Sequence, residues 1–329
     1  MKIGIPKGLA IYEYPILYTK FFELLGFEIV FSDDTNREII DEGIRRSIDE
    51  SCLASKIFTG HVYSLTKRND IDYIFIPRLC SFNKIDTVCV KFYAMYDICK
   101  NLFPNGKFIT LNVDYLRGEN EFKAFVNLGK RLGKRYTQVV SAYLKSRNMQ
   151  KIYDNKKLEK QINDLSDNSH GRTNVLIVSH SYIAHDKYMG DPIVRYLKDT
   201  GINILYADVN SINTQNGILK NKNKIKKIYR DYSDISKNIY WKFSKTLLNG
   251  ISEYIDRVDG IIYLTVFPCG PDSLVNELAL RKITDKPSIN IIIDEQDSNT
   301  GIYTRLESFV DILEQNKLLQ TNNISESVV

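Results

Sequence analysis

The apolar positions of this chain fall in short, continuous, β-branched runs separated by amphipathic stretches. Runs at 2–5, 28–31, 73–77 and 108–112, and again at 174–179, 203–207, 260–267 and 289–294, predict strands. Continuous rather than alternating runs mark parallel strands covered on both faces. Helical patterns lie between them, for example at 15–25, 38–48, 192–200 and 274–282. Each half therefore predicts a βαβ series of four strands, with a longer insert before the third. The expected fold is α/β: two doubly wound, Rossmann- or flavodoxin-like parallel-sheet domains in a pseudo-duplicated arrangement, without obvious sequence identity between halves.

A long helical pattern from Glu119 to about Leu165 connects the halves, and the polar segment 167–173 reads as a linker. The expected divisions are an N-terminal α/β domain at 1–118, a helical connection and linker at 119–172 and a C-terminal α/β domain at 173–317. The tail at 318–329 has little to bury and is expected to fray.

The 329 residues are long for one core and comfortable for two domains. A net charge of +5 is mild, and the Lys-rich stretch 220–227 reads as a solvated helix face, so no nucleic-acid partner is expected. The start shows no signal-peptide pattern and no run reaches membrane-spanning length, which points to the cytoplasm. Five widely spaced cysteines in a reducing compartment read as free thiols or metal ligands, not as a disulfide framework.

The position of the cysteines gives them chemistry. The run 260–277 reads as a buried strand, a tight turn holding Cys269 and a helix start, with Asp272 or Ser273 as the helix cap. Backbone N–H groups and the helix dipole at such a point favour thiolate over thiol. Cys52 lies between two helical patterns, with Ser51 or Asp49 as a cap. Cys80 and Cys89 flank the loop after the strand 73–77. Cys89 and Cys269 both follow the third strand of their half, where open α/β sheets gather ligands. Thiols arriving singly from distant loops suit an iron–sulfur cluster, whereas structural zinc usually shows a CxxC knuckle, and none is present. Cys99, on an apolar helix face, reads as a small hydrophobe. Cys80 reads equally as a spare ligand or a loop thiol. His180 and His185 follow the strand 174–179 and read as surface or capping residues before metal ligands. Neither a GxGxxG after the first strand nor a GxxxxGK[ST] is present, so an ATPase, if one is needed, is expected from a separate polypeptide.

The segments 1–9, 49–52, 72–78, 89–92, 267–277, 294–296 and 301–307 together resemble the acyl-CoA dehydratase activase-related proteins, a branch of the 2-hydroxyacyl-CoA dehydratase and double-cubane iron–sulfur superfamily. The resemblance runs to about Leu313. It implies that Cys52, Cys89 and Cys269 hold a [4Fe–4S] cluster with one open iron, for low-potential electron transfer in anaerobic metabolism. It also implies a part in an (R)-2-hydroxyacyl-CoA dehydratase-type lyase or low-potential reductase system. The partners it implies are an activase-type ATPase or a dehydratase subunit, an acyl-CoA substrate and, by analogy, a dimer. One departure is Val90, where relatives usually carry proline.

Glu50 and Glu277 flank the implied ligands and are candidate proton donors. Arg305 and Glu307 read as an ion pair closing the loop after Asp294 and Glu295, with Thr304 and Glu307 as a capping box. In Asp191-Pro192 the aspartate reads as a helix cap. Two rival readings stay open: a non-catalytic accessory protein that binds an activase or dehydratase, and a zinc or bare thiol site in the same cleft.

Overall fold

The computed structural model describes residues 1–166, 171–211, 238–296 and 299–326. The Lys-rich stretch 220–227, His170 and the start of the linker lie outside the described residues. The first half runs β1 (Lys2–Ile5), α1 (Ala10–Glu13), α2 (Pro15–Leu24), β2 (Glu28–Phe31), α3 (Arg37–Arg46), α4 (Leu53–Thr66), β3 (Tyr73–Phe75), β4 (Arg78–Ser81), α5 (Val90–Leu102), β5 (Phe108–Ile109) and β6 (Asn112–Asp114). The connection is α6 (Glu121–Arg131) and α7 (Tyr136–Ser166). The second half runs β7 (Asn174–Val178), α8 (Ser181–Ala184), α9 (Asp191–Asp199), β8 (Asn203–Tyr206), α10 (Lys242–Tyr254), β9 (Gly260–Val266), α11 (Gly270–Lys282), β10 (Ser288–Ile293) and α12 (Asn299–Glu326).

The first sheet has the order β2-β1-β3-β5 and the second β8-β7-β9-β10, and all their strands pair in parallel. Both halves thus share one order: second, first, third, fourth. The doubly wound, duplicated arrangement read from strand spacing is what the chain adopts. Central strands β7 and β9 are buried at every position, whereas the edge strand β2 is half open. This is why the central runs are unbroken in apolar character.

Two strand expectations need correction. The run 73–77 ends at Phe75, and the chain then forms β4, so Cys80 lies in a strand and not in a loop. The run 108–112 divides, with Phe108–Ile109 in the main sheet and Asn112–Asp114 pairing with β4 in a separate two-stranded ribbon. Pro77 between the two pieces lacks the N–H that a ladder needs, which favours the break there. The helical pattern from Glu119 breaks after α6 at Gly133, whose φ of 72° suits glycine. At the carboxyl end α12 continues to Glu326, past the point where fraying was expected.

The helix α7 ties the two halves through buried glutamines. Gln150 Oε1 accepts the N–H groups of Ile16 and Leu17, which would otherwise be open at the start of α2. Gln161 donates to the carbonyls of Tyr206 and Val209 and accepts from the N–H of Tyr206. One hydrophobic core runs across both halves, and a second lies under the far face of the second sheet.

The helix that begins after Cys52 is held firmly. His61, on α4, is fully buried. It bonds Ser32 Oγ at 2.9 Å and Thr35 Oγ1 at 3.0 Å, and Thr35 in turn donates to Asp186 of the second half. Burial lowers the His61 pKa to about 3, so it stays neutral here. The helices α3 and α4 meet backbone to backbone: a Cβ on Gly60 would stand 1.9 Å from the carbonyl oxygen of Ile39, and one on Gly43 2.1 Å from that of Lys56. Gly60→Ala must therefore push the helices apart. We expect a loss of about 3 kcal/mol of stability, read by urea unfolding.

Candidate functional site

Cys52, Cys89 and Cys269 occupy the same local position on three helices: each is the residue that caps the amino terminus, of α4, α5 and α11 respectively. All three have extended backbone, with φ, ψ of −65°, 152°, of −66°, 153° and of −88°, 104°. Such a residue turns its side chain toward the open N–H groups of the first turn. The Sγ of Cys89 accepts from the N–H of Phe92 at 3.3 Å, whereas Cys269 makes no side-chain bond to the first turn of its helix. The Sγ of Cys52 lies 3.2 Å from Ser55 Oγ. Asp272 and Ser273, expected as caps of α11, are instead inside its first turn, because the helix begins at Gly270.

The three helices come from different parts of the fold and converge. Across the seam Leu53 N–H donates to the carbonyl of Phe267 at 2.9 Å, which fastens the Cys52 turn to the Cys269 turn. The segment before Cys89 is bound to the second half, with Thr87 N–H donating to Tyr240 and Lys242 N–H to Thr87. Each thiol is half-buried. Cys89 feels the charge of Cys52; Cys269 feels both; and Tyr182 feels all three. The three thiols therefore lie within electrostatic reach of one another and of the Tyr182 ring.

The expectation that helix amino termini favour thiolate is overturned for two of the three. Burial pushes the Cys89 thiol up to about 11, and the neighbouring Cys52 adds to this, while the Phe92 N–H pulls the other way. Burial and then Asp272 push Cys269 up further. Desolvation of the charged form outweighs the helix-end N–H groups.

Cys80 stands apart. Burial raises it, and the charges acting on it are those of Asp114, Arg117 and Arg78, none of them a thiol. Cys99 is completely buried in the core, as its helix face suggested. Glu50 is exposed, and Glu277 is an exposed helix charge bonded to Arg281 at 2.7 Å. Neither is directed to the crevice by any bond among the described residues.

The His180–Asp272 pair beside Cys269 was not read from the sequence. His180 and His185 do occupy the cap positions of α8, but His180 is buried and not at the surface, and its Nε2 lies 2.9 Å from Asp272 Oδ1, to which Ser244 Oγ also donates at 3.0 Å. Burial alone would lower His180, but the Asp272 carboxylate more than offsets it and holds the pKa above the ordinary value. Burial likewise opposes the charged form of Asp272, yet His180 and the bonds to it hold its carboxyl down. The His180 ring stacks on Tyr182 at 5.0 Å, and Phe92 packs against Tyr182 and Phe243. The signal available was an aspartate three residues after Cys269, which looked like an ordinary cap.

The last strand contributes differently from expectation. Glu295 Oε2 bonds Lys56 Nζ at 2.8 Å, joining α4 to the second half. Lys56 is almost fully buried, so Lys56→Met keeps its packing and removes only its charge. We expect a loss of about 1 kcal/mol in thermal unfolding, since Glu295 regains partial hydration. Arg305 donates to the carbonyl of Asn290, not to Glu307, because residues two apart on a helix do not face each other. Thr304 lies inside α12 and bonds the carbonyl of Thr300, so no capping box forms there. Asp191 is the first residue of α9, with Gly190 as its cap, and it pairs with Arg195. Val90 is the first residue of α5 and is 78% exposed. Proline fits that position, so Val90→Pro should fold normally, with an unfolding free energy in urea titration unchanged or raised by about 0.5 kcal/mol.

Among the described residues, no group of three or more His, Cys, Asp or Glu is drawn together tightly enough for one metal ion, and no helix is long and apolar enough to cross a membrane. Comparison with curated proteins finds no match. Among solved structures the chain is similar to a FpvC mutant from Pseudomonas aeruginosa, with 11% identity and a TM-score of 0.25 over 96% of this chain and 98% of that one. A likeness at that score carries no argument. Residues 2–209 match the family described as CoA enzyme activase uncharacterised domain (DUF2229), a span that holds Cys52 and Cys89 and ends before Cys269. That span is more than half of the 329 residues, and the chain belongs to this acyl-CoA dehydratase activase-related family.

Proposed function

We propose that this chain is an iron–sulfur redox protein in which Cys52, Cys89 and Cys269 hold a [4Fe–4S] cluster between the two α/β halves. What supports the reading is that three half-buried, helix-capping thiols, remote in sequence, lie within electrostatic reach of one another. The donor set fits: thiolates are the ligands such clusters take, and three of them leave one iron without a cysteine. When bound, the cluster would supply one-electron transfer at low potential. The chain's own groups do the rest. The N–H of Phe92 donates to the Cys89 sulfur, which tunes a thiolate-held centre. Tyr182, Phe92 and Phe243 restrict water on one side, and the His180–Asp272 pair holds the Tyr182 ring in place.

The partner class follows from the family: an activase-type ATPase or a dehydratase subunit, with an acyl-CoA as the substrate of the assembled system. The chain is then the electron-carrying component of a 2-hydroxyacyl-CoA dehydratase-type or low-potential reductase system.

Anaerobic purification with iron and sulfide analysis tests the cluster. The expected result is a brown protein with about four iron atoms per chain and a signal in electron paramagnetic resonance after dithionite reduction. A colourless, iron-free chain after anaerobic reconstitution overturns the reading. Stoichiometric zinc instead would favour the single-ion site. A non-redox chain that co-purifies with a dehydratase would favour the accessory role.

A further inference from the structure

A second concave site lies on the other side of the Phe243 ring from the thiols. It is a cavity of about 320 Å³ between the end of α1, the middle of α7, the end of β8 and the start of α10. Four acids line it, Glu13, Glu121, Asp154 and Asp208. Glu121 accepts from Tyr143 and pairs with Arg147, and Asp154 accepts from Gln150 Nε2, whereas Glu13 and Asp208, from opposite halves, are less well served. Glu13 Oε1 and Asp208 Oδ1 are both shielded from solvent and have no hydrogen-bond partner among the described residues. The other oxygen of Asp208 accepts from Ser181 Oγ. A buried carboxylate oxygen without a donor is costly, and two in one cavity are not a packing accident of a single side chain.

The cations His180, Lys157 and Lys242 act on Glu13 only through space. The Lys242 ammonium lies over the Phe82 ring at 4.0 Å. Burial, with Asp208 adding repulsion, raises Glu13 to about 7. Glu13 Oε1 and Asp208 Oδ1 therefore stand without a donor among the described residues. Along α7 the lining carries Arg147, Lys151 and Lys157 together with Asp154, whose Oδ1 is taken by Gln150 Nε2. Arg147 pairs with Glu121, which leaves Lys151 and Lys157 as the cations of this side for a ligand. No third acid joins Glu13 and Asp208 closely enough for a bare metal ion.

We infer that this cavity binds a small zwitterion, its primary ammonium on Glu13 and Asp208 and its carboxylate toward Lys151 and Lys157. The ammonium supplies three donors to oxygens that have none, and the cavity holds a molecule of amino-acid size. The site is separate from the thiol crevice, and the inference stands without the cluster.

Isothermal titration calorimetry of the full chain with glycine, 4-aminobutanoate and 6-aminohexanoate tests it, with butylamine, butanoate and magnesium chloride as controls. At least one amino acid should bind, butylamine should bind more weakly and butanoate should give no heat. Glu13→Gln and Asp208→Asn should each weaken binding at least about 10-fold, the worth of one charged hydrogen bond. Circular dichroism of both variants should match the parent. Cys269→Ser, outside the cavity, should bind the same amino acid as the parent does. Binding of magnesium alone, equal binding of butanoate, no binding of any amino acid, or parental binding by a Glu13→Gln, Asp208→Asn double variant would each overturn the inference.

Discussion

Replacing Cys269 by serine is expected to leave a folded chain that no longer retains iron. The residue is half-buried at the start of α11, and serine is close to it in volume and is itself a favoured cap, so the helix should form unchanged. What is lost is one of three soft ligands. With two left, iron content after anaerobic reconstitution should fall from about four atoms per chain to below about one, and the visible absorption should vanish. Cys52→Ser and Cys89→Ser should behave alike, because the three occupy equivalent helix-end positions. Cys80→Ser and Cys99→Ser should not, since one sits in β4 away from the crevice and the other inside the core. A Cys269→Ser protein with full iron would remove the thiol crevice as the site.

The second large effect is on stability. His180→Ala should cost about 3 to 5 kcal/mol, because it leaves the Asp272 carboxylate buried without its charged partner. The pH dependence carries the signature. The folded pKa of His180 is raised, so its contribution is complete below the ordinary value near 6.5 and is lost as pH rises through the folded value. The parent should therefore lose stability as pH rises above about 6.5, and His180→Ala should be flatter there. Urea unfolding at a series of pH values reads both. Equal slopes for the two proteins would mean that the pair does not titrate as a unit.

Much of the fold was legible because its central strands are buried on both faces, and such strands announce themselves as unbroken β-branched runs. Six of the eight runs survive nearly residue for residue, from 2–5 through 289–294, and the run 73–77 is cut short at Phe75. The run 108–112 failed because apolar character does not say which sheet a strand joins, and the ribbon of β4 and β6 is made by tertiary contact. In the site, the cysteines stood out by chemistry and by their place after strands. Asp272 and His180 did not, since they are 92 positions apart and each has an ordinary local explanation. Thr304 and Arg305 misled for a related reason: a cap motif is a local signal, and α12 starts earlier than that signal implies. Glu13 carries no local signal at all, as its character comes from Asp208 and from burial.

The bond from Leu53 to Phe267 makes the two turns that carry Cys52 and Cys269 move as one body. A centre gripping both turns and α5 would then act as a rivet between the lobes. Its loss to oxygen should be felt as a loosened hinge, and a protease added to air-bleached protein should cut the joint sooner than it cuts the protein kept under nitrogen.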